Sequence, residues 1–256
     1  MYYIIQKNVF QDSRYDEIFK VMNELNLEYE EVQFKPNSTE FDFKTKRKDI
    51  FVYGSVKLAK VTAEFDWHPG SFYGNNHEFK KYSAGYGVHS INYGSYICEI
   101  KEKIDWSKSP SLFIKPSEEA KIFTGKIFNQ YEWNDFIYYK LNDPNEKRIT
   151  EKTKIQISEP YHLTKEARIW IVGKKVVTSS YYRFHGNTEY EENVSQIGLE
   201  FAKKMAELFN VADAYVMDIA YTLNEWKIME INCINSAGFY KGDVKKIILA
   251  LEKFYG

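Results

Sequence analysis

Two cysteines, Cys98 and Cys233, are all that the chain offers for thiol chemistry. They give neither a disulfide framework nor a thiolate metal pattern, which suits a reducing cytosol. No apolar run is long enough to span a membrane, and the N-terminus lacks the pattern of a signal peptide. A cytoplasmic protein with no membrane partner is the expectation. The sequons Asn37-Ser38-Thr39 and Asn193-Val194-Ser195 carry no weight in that compartment. Charge of either sign is also missing in excess. A formal net charge of −1 gives no global field to draw in nucleic acid, which is not an expected partner.

Common catalytic patterns are absent as well. Gly125-Lys126 is followed by Ile127 where a Walker A loop needs Ser or Thr, and no earlier glycine has the right spacing. Gly85-Tyr86-Gly87 lacks the third glycine of a dinucleotide fingerprint. There is no Gly-x-Ser-x-Gly elbow and no His-Glu-x-x-His. The histidines at 68, 77, 89, 162 and 185 show no ligand spacing.

What is present begins as alternating strand and helix over 256 residues. Tyr2 to Ile5 reads as a strand, Asp16 to Leu25 as a helix, and Tyr29 to Phe34 and Ile50 to Tyr53 as strands. Gly54-Ser55 precedes another helix. Such a start implies a parallel sheet. From Asp66 to Gly94 periodicity is weak, and the segment reads as a structured crossing. The second half reads mainly as strands. Ser111 to Pro116 ends in a lysine, and Lys121 to Gly125 follows a short acidic loop. Lys154 to Ser158 alternates. Arg168 to Val172 and Lys175 to Tyr182 form a hairpin across Gly173-Lys174. Ser195 to Phe209 is an amphipathic helix whose stripe is Ile197, Phe201, Met205 and Leu208. Val244 to Phe254 closes the chain as a helix. Tyr 21 and Phe 18 are high counts that suit cores and pockets more than base stacking.

The most informative stretch is Ala214 to Tyr240. Two strand-like runs flank a turn placed at Leu223-Asn224-Glu225. That turn sets Asp218 opposite Glu230, and Asn232 leaves the same face as Glu230. Two carboxylates and an amide oxygen are hard ligands, suited to Mg²⁺ or Mn²⁺. An amphipathic hairpin with a polar outer face is the alternative. Clustered acids also imply that neutralising one of them should raise the stability of the metal-free protein.

This order of parts resembles the ATP-grasp superfamily. The residues that carry the resemblance are Lys115-Pro116, then Lys121 to Gly125, Ser158-Glu159, Glu166-x-Arg168, Asp218, and Glu230-Ile231-Asn232. The ending Glu-Ile-Asn-x-x-x-Ser-Ala-Gly-Phe-Tyr is similar to a phage and bacterial clade of that superfamily. A single Gly125 stands where many members carry a glycine-rich loop. The resemblance implies an α+β fold: an ATP-grasp domain over 111–256, two α+β subdomains gripping ATP, after a small α/β pre-ATP-grasp-like domain and crossing over 1–110. It implies ATP as a partner, with Lys115, Lys121, Glu159 and Glu166 toward the nucleotide. Asp218, Glu230 and Asn232 take Mg²⁺ or Mn²⁺. Arg168 and Arg183 are catalytic, Arg168 on the transferred phosphoryl and Arg183 toward the acceptor. For each arginine an ion pair or stacking on aromatic rings is the other reading. Cys233 reads as a buried small hydrophobe. The implied activity is ligation of a carboxylate, of unknown identity, to an amine or similar nucleophile. A kinase-like phosphotransferase and a nucleotide-binding module without turnover are the alternatives.

Overall fold

Among the residues described by the computed structural model (1–7, 9, 14–35, 38–40, 43–117 and 122–256), strands pair into three sheets. Lys121 and Asn37 lie outside those residues. The chain divides into two compact units, one made of Met1–Ile91 with Leu163–Gly256, the other of Asn92–His162. These cuts fall at 91/92 and 162/163, whereas the sequence reading divides the chain at 110/111. No helix among the described residues is long and apolar enough to cross a membrane.

The first unit opens as expected. Strand β1 (Tyr2–Gln6), helix α1 (Glu17–Glu24), β2 (Tyr29–Val32) and β3 (Ile50–Tyr53) build a parallel sheet of order β2-β1-β3. Ser55 caps α2 (Val56–Thr62) by accepting the Leu58 amide at 3.2 Å. The weakly periodic crossing hides a helix, α3 (Phe79–Tyr86), which buries Tyr82, Ser83 and Tyr86. Gly85 lets it pack closely, since a Cβ there would fall 2.4 Å from the Phe209 ring.

In the second unit, β4 (Tyr96–Glu99), β5 (Ser111–Pro116), β6 (Lys126–Asn129) and β7 (Lys154–Ser158) form an antiparallel sheet of order β4-β7-β5-β6. Helix α4 (Gln130–Asn142) adds Trp133 to its core of Leu112, Ile114, Phe128, Ile155 and Ile157. The sequence reading missed α4, because apolar residues surround the helix: Tyr131, Tyr138 and Tyr139 are exposed. Its start is nonetheless written in Asn129-x-x-Glu132. Asn129 accepts the Glu132 amide at 3.0 Å, and Glu132 accepts the Asn129 amide at 2.9 Å.

The chain then returns to the first unit. Strands β8 (Leu163–Val172), β9 (Lys175–Phe184) and β10 (Asn187–Glu191), helix α5 (Gln196–Leu208), strands β11 (Ala214–Thr222) and β12 (Glu225–Cys233), and helix α6 (Val244–Tyr255) complete it. Its antiparallel sheet has the order β10-β9-β8-β11-β12. The stripe expected on α5 is only partly inward. The helix buries Gly198, Ala202, Met205 and Ala206, while Ile197 is 71% and Leu208 53% exposed. At Gly198 the Trp226 ring comes within 3.1 Å of where a Cβ would stand, so a larger residue there would have to displace it.

Two irregularities in this sheet position the site. The β11–β12 turn has two residues, Leu223 and Asn224, both at positive φ, and Thr222 pairs with Glu225. That register alone would put Met229 opposite Asp218. A β-bulge between Asp218 and Ile219 absorbs Met229 and restores the Asp218–Glu230 pair. The expected pair therefore forms, through a shorter turn plus a bulge. A second bulge lies between β8 and β9: Glu166 pairs with Arg183 and Ala167 with Tyr181, leaving Tyr182 as the extra residue. Since Ala167 pairs with Ile219, both bulges sit at one level, on either side of the central β8–β11 pair.

Candidate active site

The row Arg168–Asp218–Glu230 crosses three neighbouring strands. Arg168 and Asp218 are buried, and Glu230 and Asn232 are half-buried. Arg168 Nε donates to Asp218 Oδ1 and Nη2 to Oδ2, both at 2.8 Å, and Nη1 donates to the Gly238 carbonyl at 3.2 Å. Asn232 Nδ2 donates to Asp218 Oδ2 at 3.0 Å. Burial alone would lower the Arg168 pKa, but the facing Asp218 carboxylate more than offsets it and holds the guanidinium above its ordinary value. The charge on Asp218 is thus already matched. The acid cluster inferred from sequence contains its own counter-ion, so neutralising Asp218 would strand Arg168 instead of relieving repulsion.

Asp218, Glu230 and Asn232 meet the chemical requirement for a hard divalent cation. A carboxylate has about four acceptor positions, and Asp218 uses three, which leaves room for an ion. Among the described residues no three His, Cys, Asp or Glu side chains group as a metal site, so the third donor would be the Asn232 amide. Bound there, Mg²⁺ or Mn²⁺ would supply charge neutralisation to phosphate oxygens.

Beside this row lies a second ion pair. Arg183 Nη1 donates to Glu166 Oε1 at 3.3 Å and Oε2 at 3.4 Å. The Glu166 side chain is 5% exposed and that of Arg183 44%. Glu166, expected toward the nucleotide, here anchors Arg183. A ladder of tyrosines that the sequence reading did not assign extends from the first pair. The Arg168 guanidinium lies 4.6 Å from the centroid of the Tyr240 ring. Tyr240 stacks on Tyr182 at 5.1 Å and on Tyr190 at 5.3 Å. Burial, then Asp218 and Glu166, push the Tyr182 phenol well above its ordinary pKa, so it stays neutral. Its buried hydroxyl has no hydrogen-bond partner among the described residues. The signal for this ladder was the Ser180-Tyr181-Tyr182-Arg183 run together with Gly238-Phe239-Tyr240.

Asn235 was also missed. Fully buried, it donates through Nδ2 to the carbonyls of Val52 (2.7 Å) and Gly70 (3.1 Å). Its Oδ1 accepts the Phe72 amide at 2.9 Å, and its carbonyl accepts the Gly54 amide at 2.8 Å. It pins the exit of β12, just past Asn232, to the end of β3. Tyr53 reinforces that junction: its ring stacks on Phe239 at 4.9 Å and its hydroxyl donates to the Ala237 carbonyl. The Ser236-Ala237-Gly238 turn offers Arg168 the Gly238 carbonyl.

In the second unit, Lys115 is half-buried near the end of β5. Gly125 passes so close that a Cβ on it would fall 2.7 Å from the Lys115 Cβ. Glu159 is exposed just after β7, and the neighbouring Ser158 hydroxyl donates to Asn92 Oδ1 at 3.2 Å.

Comparisons with known proteins bear on the fold. Residues 48–251 match a family described as an ATP-grasp domain, family 3 of its clade. None of the curated proteins compared matches the chain. Among solved structures, D-cycloserine synthetase DcsG superposes with a TM-score of 0.68 at 7% identity, covering 100% of this chain and 99% of that one. D-alanine–D-alanine ligase from Bacillus anthracis complexed with ATP gives 0.63 at 11% identity, covering 100% and 96%. The macrocyclase MdnC from Microcystis aeruginosa, bound with its precursor peptide MdnA, gives 0.62 at 10% identity, covering 98% and 99%. At such identities the likeness is one of fold.

Proposed function

The chain belongs to this ATP-grasp family and has its α+β fold, and from that premise we propose that it is an ATP-dependent ligase joining a carboxylate to an amine. The observation that carries the reading is the Asp218–Glu230–Asn232 donor set beside two arginines on one sheet face. ATP phosphorylates the carboxylate to an acylphosphate and ADP, and the amine then displaces phosphate. Fixed cations and a divalent ion offset the charge that builds on the phosphoryl oxygens.

In this reading Asp218, Glu230 and Asn232 hold Mg²⁺ or Mn²⁺. Lys115, Lys121, Glu159 and Glu166 serve the nucleotide, with Lys115 on phosphate as a point charge and Glu166 also anchoring Arg183. Arg168 keeps Asp218 oriented and lies nearest the transferred phosphoryl, and Arg183 faces the acceptor. Residues 1–110 are the pre-ATP-grasp-like part and 111–256 the ATP-grasp part. A cytoplasmic location belongs to the same proposal.

The test is ATP binding and turnover together. Calorimetry with Mg²⁺ should give ATP binding that EDTA abolishes, and Lys115→Ala should weaken it by roughly tenfold, about 1.4 kcal/mol. Glu230→Gln should stop ADP formation with acceptors supplied from a cell extract. Normal turnover in Glu230→Gln would remove the metal assignment. A stable phosphorylated product would indicate a phosphotransferase, and ATP binding without ADP a module lacking turnover.

A further inference from the structure

Arg183 is held through only one of its three nitrogens. Nη1 meets Glu166, while Nε and Nη2 make no hydrogen bond among the described residues. The Nε–Nη2 edge is the side of a guanidinium that grips a carboxylate with two parallel bonds. Arg168 shows the same edge in use, fully occupied by Asp218. Two arginines thus share one region of the sheet, one edge closed by a protein carboxylate and one open.

The surroundings of the open edge are aromatic. The bulge makes Tyr182 and Arg183 consecutive outliers to the alternation of β9, so both reach the neighbourhood of Glu166. Tyr240 lies between Tyr182 and Tyr190, and Tyr190 is 48% exposed. Arg183 pairs with Thr188 across β9 and β10, two residues before Tyr190, so the open edge and the Tyr190 ring belong to adjacent strands. Tyr240 holds its place at φ +50°, a backbone conformation unfavourable for so bulky a residue.

We propose that the open edge of Arg183 and the exposed ring of Tyr190, backed by Tyr240, form a subsite for an aromatic α-amino acid. The carboxylate lies in the Arg183 fork and the aromatic ring stacks on Tyr190. Glu166 is a positioning residue: its buried carboxylate fixes Nη1 and so aims the fork. The role of the amine rests on the ligase reading. It attacks the acylphosphate carbonyl, a C–N bond forms, the C–O bond to phosphate breaks, and the amine gives up a proton to water. Binding itself does not depend on that reading.

Calorimetry on the full chain without nucleotide separates the parts, using L-phenylalanine, 3-phenylpropionate, phenethylamine and L-leucine. Phenylalanine and phenylpropionate should bind within about threefold of each other, under roughly 1 kcal/mol apart. Phenethylamine, lacking the carboxylate, should bind at least about tenfold more weakly, and leucine about fivefold. Arg183→Lys should cost about tenfold, since lysine has no fork, and Tyr190→Ala should erase the preference for phenylalanine over leucine. Both positions are exposed enough to leave the fold intact, which circular dichroism checks; Glu166→Gln, at a buried position, should give a smaller loss. Equal binding of phenethylamine and phenylalanine, or an unchanged affinity in Arg183→Lys, overturns the subsite. A second arm measures ADP release from Mg-ATP with each compound. Binding as expected without stimulated ADP release leaves the subsite and removes the ligase reading. Release driven by amines without a carboxylate, and indifferent to Arg183→Lys, removes the subsite and leaves the ligase.

Discussion

Arg168 meets Asp218 edge on, with both fork distances at 2.8 Å, in a place where the two side chains are 10% and 3% exposed. A buried pair of this kind is costly to break from either end, because the survivor is left charged and desolvated. Asp218→Asn should therefore lower stability by about 3 kcal/mol, and Arg168→Met by a similar amount. Their double mutant should lose less than the sum of the two. Urea denaturation of the four proteins measures this, and an Asp218→Asn variant as stable as the parent would mean that the pair is not formed in solution.

His77 predicts a pH dependence. It is 8% exposed and neither ring nitrogen has a partner among the described residues, and burial lowers its pKa to about 4. The unfolded histidine titrates near ~6.5 and so binds more protons than the folded one between these values. Stability from this group is fully present above ~6.5 and is lost as pH falls toward 4. The loss at about pH 5 should be on the order of 2 kcal/mol. His77→Phe should flatten that part of the stability–pH curve. The same slope with and without His77 would assign the acid sensitivity elsewhere.

Asn235→Ala leaves the Val52 and Gly70 carbonyls and the Phe72 amide without their side-chain partner in a buried place. A loss of about 3 kcal/mol is expected, since several desolvated groups lose a bond at once. Asn235→Asp keeps the acceptor and loses both donors, so it should not rescue. Denaturation midpoints decide it; a loss below about 1 kcal/mol would show that water replaces the amide.

Gly125 tests the surroundings of Lys115. A Cβ there would meet the Lys115 Cβ at 2.7 Å and Phe113 Cζ at 3.0 Å, so Gly125→Val has to displace one of them. ATP affinity should fall at least about fivefold, near 1 kcal/mol, with a small change in melting temperature. Unaltered ATP binding would separate this strand end from the nucleotide.

The sequence was most readable where apolar periodicity and turn chemistry agreed. The β-α-β opening, Gly173-Lys174 and helix α6 follow from local pattern alone. The Asp218–Glu230 pair was legible too, but by a different route: a three-residue turn and a two-residue turn followed by a bulge give the same partner, and alternation cannot distinguish them. Helix α5 misled because its apolar residues mark two faces, and the buried one carries Gly198, Ala202 and Ala206 beside Met205. The counter-ion of Asp218 lies 50 residues away in sequence, and the tyrosine ladder joins residues from β9, β10 and the segment after β12. Such pairings depend on register between strands, which no local signal encodes.

The Asn235 tie also bears on the order in which the protein can take shape as it is made. The parallel sheet ends at Tyr53, yet the side chain that satisfies Val52, Gly70 and Phe72 is supplied by residue 235. A ribosome has therefore made all of residues 92–162 and most of the large sheet before the opening segment can close its last buried hydrogen bonds. Val52, Gly70 and Phe72 wait for a residue just past β12, translated roughly 8 to 33 seconds after Phe72 at ordinary elongation rates of roughly 5–20 residues per second.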